Sequence, residues 1–312
     1  MSRYITLVAS LCVTLAASTG YSSTIKSPTY DTSPFNVFID NGSVVKNTGK
    51  SPYSSLVKIK VNGHLCTGTL IQYNKILTAG ECTQDESGKV IAAGLFTVTS
   101  SDGKKSWHVK EIKAASTLDP ASDFAVLKID NTDKNTPTVP LSSKQVTQHW
   151  LLTKYPSLLT VGYGVDLARP DKNNKADLQQ GTVTPTSQSN AQKTVKQGFA
   201  WLSSKGVTIT GKYDGKGVFS TCSKQAINYG DAGGPVFYQN PADHSFYLIG
   251  TTSGGLTFPD SKVKGKYLSY DRCIDHNGVD QKGQKISIFT DLTYGSFNYK
   301  KLKTIEGQMS KS

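Results

Sequence analysis

Apolar and polar positions alternate in short runs along most of the chain. Residues 56–61, Leu-Val-Lys-Ile-Lys-Val, alternate and end at Asn62-Gly63, a pair suited to a two-residue hairpin. Residues 67–71 and 75–78 predict two further short strands, and residues 124–129 predict a mostly buried one opened by Asp123. Segments 158–163, 181–185, 206–210, 235–238, 246–251 and 286–290 extend the series, with turn residues between them at fairly regular spacing. Only residues 294–305 carry a convincing helical pattern, and polar residues 165–177 read as an exposed loop. No internal repeat or low-complexity tract interrupts the pattern. The fold class expected is all-β, a barrel or a sandwich.

Composition narrows the setting. The 312 residues suffice for one large all-β domain or two small ones, and 19% charged residues argue against disorder. Arg3, the apolar run 5–17 and the small residues 16–20 predict an export signal ending near residue 20, followed by a Ser-, Thr- and Pro-rich leader at 21–36. The apolar run is too short for a comfortable membrane span, and no second long one follows. The remainder of the chain is then expected outside the cell, or in a periplasm. Loss of the signal removes Cys12 and leaves four cysteines, Cys66, Cys82, Cys222 and Cys273, which permit three pairings. No Cys-x-x-Cys pair supports a zinc ribbon, and no metal or cofactor is expected.

The net charge is +12, and loss of residues 1–20 leaves +11. A basic balance favours anionic partners. The lysines are scattered, with small groups at Lys104-Lys105, at Lys262, Lys264 and Lys266, and at Lys300, Lys301 and Lys303. No run of five or six like charges and no nucleic-acid signature appears.

Two blocks carry the chemistry. Residues 77–82 read Leu-Thr-Ala-Gly-Glu-Cys and residues 230–235 read Gly-Asp-Ala-Gly-Gly-Pro. They resemble the L-T-A-A-H-C and G-D-S-G-G-P signatures of the chymotrypsin-like serine proteases. Other blocks follow in that family's order: Ile39-Asp40-Asn41-Gly42, Ser51-Pro52-Tyr53, the block from Cys66 to Ile71, the block from Ser122 to Leu127, and the block from Val161 to Gly164. The blocks from Leu178 to Val183, from Ile249 to Gly255 and from Ile288 to Leu292 complete the order. The resemblance implies two six-stranded antiparallel barrels, about 37–145 and 146–305, with a site between them, a short C-terminal helix and a polar tail at 306–312. It also implies a Cys66–Cys82 bridge, which leaves Cys222 with Cys273. A 15-residue loop so closed is worth roughly 3 kcal/mol by chain entropy.

The same resemblance places Glu81 at the general-base position, Asp123 at the orienting carboxylate and Ala232 at the nucleophile. Hydrolysis by such a triad needs a hydroxyl, an imidazole to take its proton and a carboxylate to orient the imidazole, as the family's own well-known template has it. A methyl group forms no acyl-enzyme, and loss of nucleophile or base alone costs about 10⁶-fold in another hydrolase with the same triad. Backbone N–H groups of Gly230 and Ala232 correspond to an oxyanion hole, though the turn also has purely conformational reasons to persist. Ala226 stands at the floor of the specificity pocket, where basic-residue-cleaving relatives carry an acid, and Ser253 matches the serine that buttresses the orienting aspartate. Asp231 corresponds to the residue that pairs with a newly cut N-terminus, yet Phe38 offers no trypsin-type cutting site before Ile39, and Asn228 stands where a family cysteine would be. Two close carboxylates, Glu81 and Asp123, raise one pKa or recruit a cation; the reading taken is that Glu81 turns to solvent. The histidines at 64, 108, 149, 244 and 276 fall outside the base position and read as surface or structural. Asn41-Gly42-Ser43 is a glycosylation sequon.

Three functions are compatible with these residues. The first is an exported, catalytically inactive protease homologue that binds a protein or an acidic glycan or surface. The second is a serine-type hydrolase of weak or unconventional activity, and the third a structural exoprotein.

Overall fold

A computed structural model describes residues 39–85, 88–115, 120–164, 177–207, 213–227, 230–259 and 267–309. The export signal, the leader, Phe38, Asn228, the loop at 165–176 and Lys262, Lys264 and Lys266 lie outside the described residues. So does most of the strand expected at 206–210, of which Gly206 and Val207 lie in a turn.

Eighteen strands are described. The first, β1 (Ser43–Val44), is followed by β2 (Leu56–Val61), β3 (His64–Gln72), β4 (Lys75–Thr78), β5 (Phe96–Ser100), β6 (Ser106–Ala114) and β7 (Ala125–Ile129). Strands β2 to β7 close a barrel in the order β2-β3-β4-β7-β6-β5. Its first hairpin turns at Asn62 and Gly63, both at positive φ (49° and 80°), as expected of a two-residue loop that must match the strands' twist. Alternation then places Val57, Ile59, Leu70, Ile76, Val98 and Leu127 in one interior cluster.

The second half continues with α1 (Gln148–Lys154), β8 (Leu158–Gly162), β9 (Gln179–Val183), β10 (Pro185–Thr186), α2 (Gln188–Ser204) and β11 (Val218–Ser223). Then come β12 (Pro235–Gln239), β13 (Phe246–Gly255), β14 (Thr257–Pro259), β15 (Tyr267–Ser269), β16 (Arg272–Ile274), β17 (Asp280–Lys282), β18 (Lys285–Asp291) and α3 (Phe297–Met309). The large sheet runs β1-β9-β8-β12-β13-β18-β11-β10. It curls so far that β9 passes through Thr184 into β10 at the opposite edge, and Thr184 O accepts the Cys222 N–H at 3.0 Å. This eight-stranded sheet is thus a curled half-barrel, the second barrel of the pair. Its interior holds Leu158, Val183, Phe219, Val236, Ile249 and Phe289. The chain ends cross over: β1 pairs with β9 of the second sheet, while α3 packs near β7 of the first barrel.

Two helices depart from the sequence reading, which found one only at the C-terminal end. α1 begins at Thr147, whose side chain accepts the Trp150 N–H, and stops at Tyr155 in the left-handed region. α2 begins at Ser187, which caps Asn190 in the same way. Its buried stripe is Ala191, Thr194, Val195, Gly198 and Leu202, spaced for one helix face. Three of these five residues are small or polar, so the stripe carries little hydrophobic signal. The smallness has a packing reason, because a side chain at Gly198 would collide with Leu256 and Tyr270. The Cys222–Cys273 bridge (Cα–Cα 5.7 Å) lies in the same cluster, and Thr194 Oγ1 accepts the Ile274 N–H at 2.9 Å.

α3 buries Leu302, Ile305 and Met309 in a cluster that joins Leu56, Leu77 and Phe124 to Phe237 and Leu248 of the second barrel. Lys75 on β4 is only 2% exposed, and its Nζ donates to Glu306 O at 2.8 Å. Lys128 on β7 donates to Met309 O at 3.2 Å. Two cations thus meet carbonyls of the helix's last turns, where the macrodipole favours them. The helix therefore runs to Met309, into the stretch read as a polar tail.

Asp291 ends β18 fully enclosed, with Oδ1 accepting the Thr293 N–H (2.9 Å) and hydroxyl (2.6 Å). Burial outweighs those two bonds and pushes its pKa up to about 6. An acid raised in the fold stabilises fully below its unfolded value near 4, and that contribution is lost as pH rises through about 6. The Asp291→Asn variant keeps the acceptor without the charge. Thermal unfolding should show it close to wild type at pH 4 and more stable by about 2–3 kcal/mol at pH 7.5. Equal pH profiles for the two proteins would refute this origin of the dependence.

Candidate functional site

Four segments meet in the seam between the barrels: the turn 80–83 after β4, residues 122–124 before β7, the turn 230–234 before β12, and Ser253 on β13. Asp123 is 7% exposed and joins three of them. Its Oδ1 accepts the backbone N–H of Glu81 at 3.0 Å, and its Oδ2 accepts the Ser253 hydroxyl at 3.0 Å. Its own carbonyl accepts the Thr290 hydroxyl of β18 at 2.9 Å. Next to it, Ser122 Oγ donates to Asn298 Oδ1 of α3 at 3.0 Å, and Phe124 is fully buried. A side chain at Gly80 would press on Asp123 Oδ1, so the turn's glycine gives the carboxylate its room.

Glu81 opens a single 3-10 turn, Glu81–Thr83, and is half-buried. The Cys66–Cys82 bridge (Cα–Cα 6.3 Å) ties this turn to β3. Across the seam, the turn at 230–234 is shaped by backbone demands. Gly230 and Gly233 have φ of 90° and 79°, values that favour glycine. A side chain at Gly233 would also strike Thr67 O, Thr78 Oγ1 and Ala79 N of the first barrel. The Thr67 N–H donates to Ala232 O (2.9 Å), Gly233 N–H to Thr252 O (3.0 Å) and Gly234 N–H to Asp231 O (2.8 Å). The Ala232 methyl is half-buried against the first barrel's interior cluster. The N–H groups of Gly230 and Ala232 donate to no acceptor among the described residues.

Asp231 points away from this turn's mouth. It is buried, and its Oδ1 accepts the Gly164 N–H at 2.6 Å. Side chains at Gly162 or Gly164 would fall onto its carboxylate. These two glycines flank Tyr163, whose ring carries Lys58 Nζ 4.6 Å from its centroid. Burial lowers the Lys58 pKa, with Lys60 adding to the effect and Asp177 opposing it.

The expected pocket floor is packed. Ala226 is fully buried and exchanges backbone hydrogen bonds with Asp40, 2.9 Å and 3.3 Å long. Ile227 turns into the second barrel's interior cluster, and its N–H donates to Ser287 Oγ at 3.1 Å. Ser253, buried, has its hydroxyl committed to Asp123. Ile39 is also fully buried, and Asp40 forms an ion pair with Lys285 of β18. Sequence reasoning missed that ion pair. Its only signal was an acid at position 40, where the resembling family carries an apolar residue.

The histidines lie on other parts of the surface and framework. His108 pairs with Asp130 (2.9 Å), His276 stacks on Tyr155 (4.8 Å between centroids), and His64, His149 and His244 lie in the first hairpin, in α1 and in the 240–245 turn. The described residues contain no group of three or more His, Cys, Asp or Glu suited to a metal ion. They contain no helix long and apolar enough to cross a membrane.

The family model for trypsin matches residues 40–275. The chain belongs to the trypsin family. No curated protein matches it. The match covers the blocks at Glu81, Asp123 and Ala232, while β18 of the large sheet and α3 lie beyond the matched residues. Within a trypsin-family frame, Asp123 has an additional framework role: its acceptors bind groups of both barrels.

That role predicts a measurable coupling. Ser253→Ala leaves a buried carboxylate oxygen short of a donor and should cost about 1.5–3 kcal/mol in chemical denaturation; Asp123→Ala should cost about 2–3 kcal/mol. The double variant should lose less than the sum by about 1 kcal/mol or more. Strict additivity would show that the two side chains do not act as partners.

Proposed function

We propose that this trypsin-family protein is an exported, non-hydrolytic binding protein whose chain begins with a cleaved signal. The observation that carries the reading is the seam itself. The carboxylate that orients an imidazole in active relatives receives the backbone N–H of Glu81 and the Ser253 hydroxyl, and a methyl group stands at the nucleophile position. A Glu side chain cannot donate an N–H to Asp123 as an imidazole does, and Ala232 offers no oxygen to activate. The packed floor at Ala226 and Ile227 is further support, because it leaves no charged anchor for a substrate side chain. Two disulfides fit an oxidising compartment. The net charge of +12 favours an acidic protein, glycan or surface as the partner.

One observation favours a second reading, a weak hydrolase. The N–H groups of Gly230 and Ala232 remain available in a turn whose geometry depends on glycine rather than on a serine. Such donors retain some transition-state stabilisation without the triad.

The two readings separate on one measurement. The protein is incubated with a serine-reactive fluorophosphonate and, in parallel, with a peptide-library substrate. The expected result is no covalent adduct by intact mass and no cleavage above the buffer rate; stoichiometric labelling would overturn the binding-only reading. A companion variant, Glu81→His with Ala232→Ser, is expected to stay poorly active because Ala226 offers no charged anchor for a substrate side chain. Robust proteolysis by that variant would show that the rest of the site is intact.

A further inference from the structure

The last helix carries charge in a way that packing does not require. α3 buries Asn298, Leu302, Ile305, Glu306 and Met309, which form one face. On the wheel of a 3.6-residue helix, Phe297, Lys300 and Thr304 fall on the opposite face, with half-buried Lys301 at its edge beside Phe297. Phe297 is 67% exposed, the most exposed of the large apolar side chains described. Lys301 Nζ lies 5.5 Å from its ring centroid, and Tyr294 and Tyr299 pack on each other nearby, centroids 5.3 Å apart.

Among the described residues, no acid forms an ion pair with Lys300 or Lys301. The helix has no acidic residue in its first turn, the place where the macrodipole favours one, and instead puts Lys300 and Lys301 directly after that turn. Its one carboxylate, Glu306, is 5% exposed and accepts from Gln72 Nε2 (3.1 Å) and Lys303 Nζ (2.9 Å). Lys75 and Lys128 stand behind the same helix at its carbonyl end. Burial, together with Lys128 and Lys303, lowers the Lys75 pKa, against opposing pulls from Glu306 and Glu111. Like charges gathered against the local field raise the free energy of the folded state unless something offsets it. A local conflict of this kind marks a surface kept for a purpose other than stability.

We propose that the Phe297–Lys300–Lys301 face of α3 binds an acidic polysaccharide. The two ammonium groups meet carboxylate or sulfate groups along the polymer, and the exposed ring packs on the apolar C–H face of a sugar. Charge complementarity selects a polyanion, and the ring beside the charges favours a pyranose chain over a diffuse anionic layer. The proposal rests on the binding role argued above only for its biological sense, since this face lies on α3 and not in the seam.

The test uses the whole exported protein and heparin, a sulfated uronic-acid polymer, with binding measured by titration at several NaCl concentrations. Wild type should bind, and log Kd should rise linearly with log [NaCl]. The double variant Lys300→Gln, Lys301→Gln should weaken binding and reduce the slope by about 2. Phe297→Ala should weaken binding severalfold with the slope unchanged. A control, Lys104→Gln with Lys105→Gln, removes two lysines that pair with Asp102 and Asp133 in a distant hairpin and should change neither quantity. Equal losses in control and α3 variants would overturn the site, replacing it with diffuse charge attraction. Absence of wild-type binding at low salt would overturn the glycan class. So would binding to phosphatidylserine vesicles, but not to heparin, through the same residues. None of these results bears on the fluorophosphonate measurement, so the two readings fail separately.

Discussion

Everything in the seam is organised around a carboxylate that is withdrawn from water. A buried carboxylate is tolerated only where donors reach it, and Asp123 collects one from the Glu81 backbone and one from Ser253. Those donors belong to different barrels. The neighbouring bonds, from Thr290 to the Asp123 carbonyl and from Ser122 to Asn298, extend the tie to β18 and α3. The three residues 122–124 therefore fasten the first barrel, the second barrel and the terminal helix at one point. This gives the aspartate a structural reason to be present whatever the chemistry of its neighbours. Ala232 and Glu81 contribute backbone groups to these bonds, whereas Asp123 and Ser253 contribute side chains.

The turn opposite obeys the same logic. Gly233 is demanded by Thr67, Thr78 and Ala79, and Gly162 and Gly164 are demanded by the Asp231 carboxylate. These are contacts between the barrels and the turn, and none involves the side chain at position 232. A sequence can thus keep the Gly-Asp-x-Gly-Gly-Pro pattern for the sake of the interface alone. The segment at Ile39 follows a comparable rule. Its backbone pairing with Ala226 and the side-chain ion pair from Asp40 to Lys285 hold it against the second barrel.

Much of the architecture was legible because its signals are local. Alternation marks β2, a mostly apolar run marks β7, Asn62-Gly63 marks a hairpin, and the order of the short blocks implies both barrels. α2 was not legible, since its buried stripe uses Thr194, Gly198 and Ala191 where a free-standing amphipathic helix would use larger apolar residues. Its position depends on Leu256 and Tyr270 approaching Gly198, a contact about 60 or more residues away in sequence that no window of neighbours reveals. The site divides in the same way. Identity at positions 81, 123 and 232 can be read directly, but the burial of Ile227 in the second barrel's interior cluster is a tertiary fact. Residue 227 reads as an ordinary isoleucine until Phe219 and Phe289 are placed around it.

The distribution of charge separates the two sides of the molecule's logic. In the seam, each described buried acid is offset by specific donors: Asp123 by an amide and a hydroxyl, Asp231 by the Gly164 amide, Asp40 by Lys285. On α3 the balance is not closed, because its single carboxylate already serves Gln72 and Lys303 while Lys300 is exposed and Lys301, half-buried, lies against the Phe297 ring. Folding stability explains the first arrangement and gains nothing from the second. A protein that needed only to fold would place acids in the first turn of α3, where each is worth about 0.3–1 kcal/mol. The lysines there are best understood as one half of an interaction whose other half carries the missing negative charge.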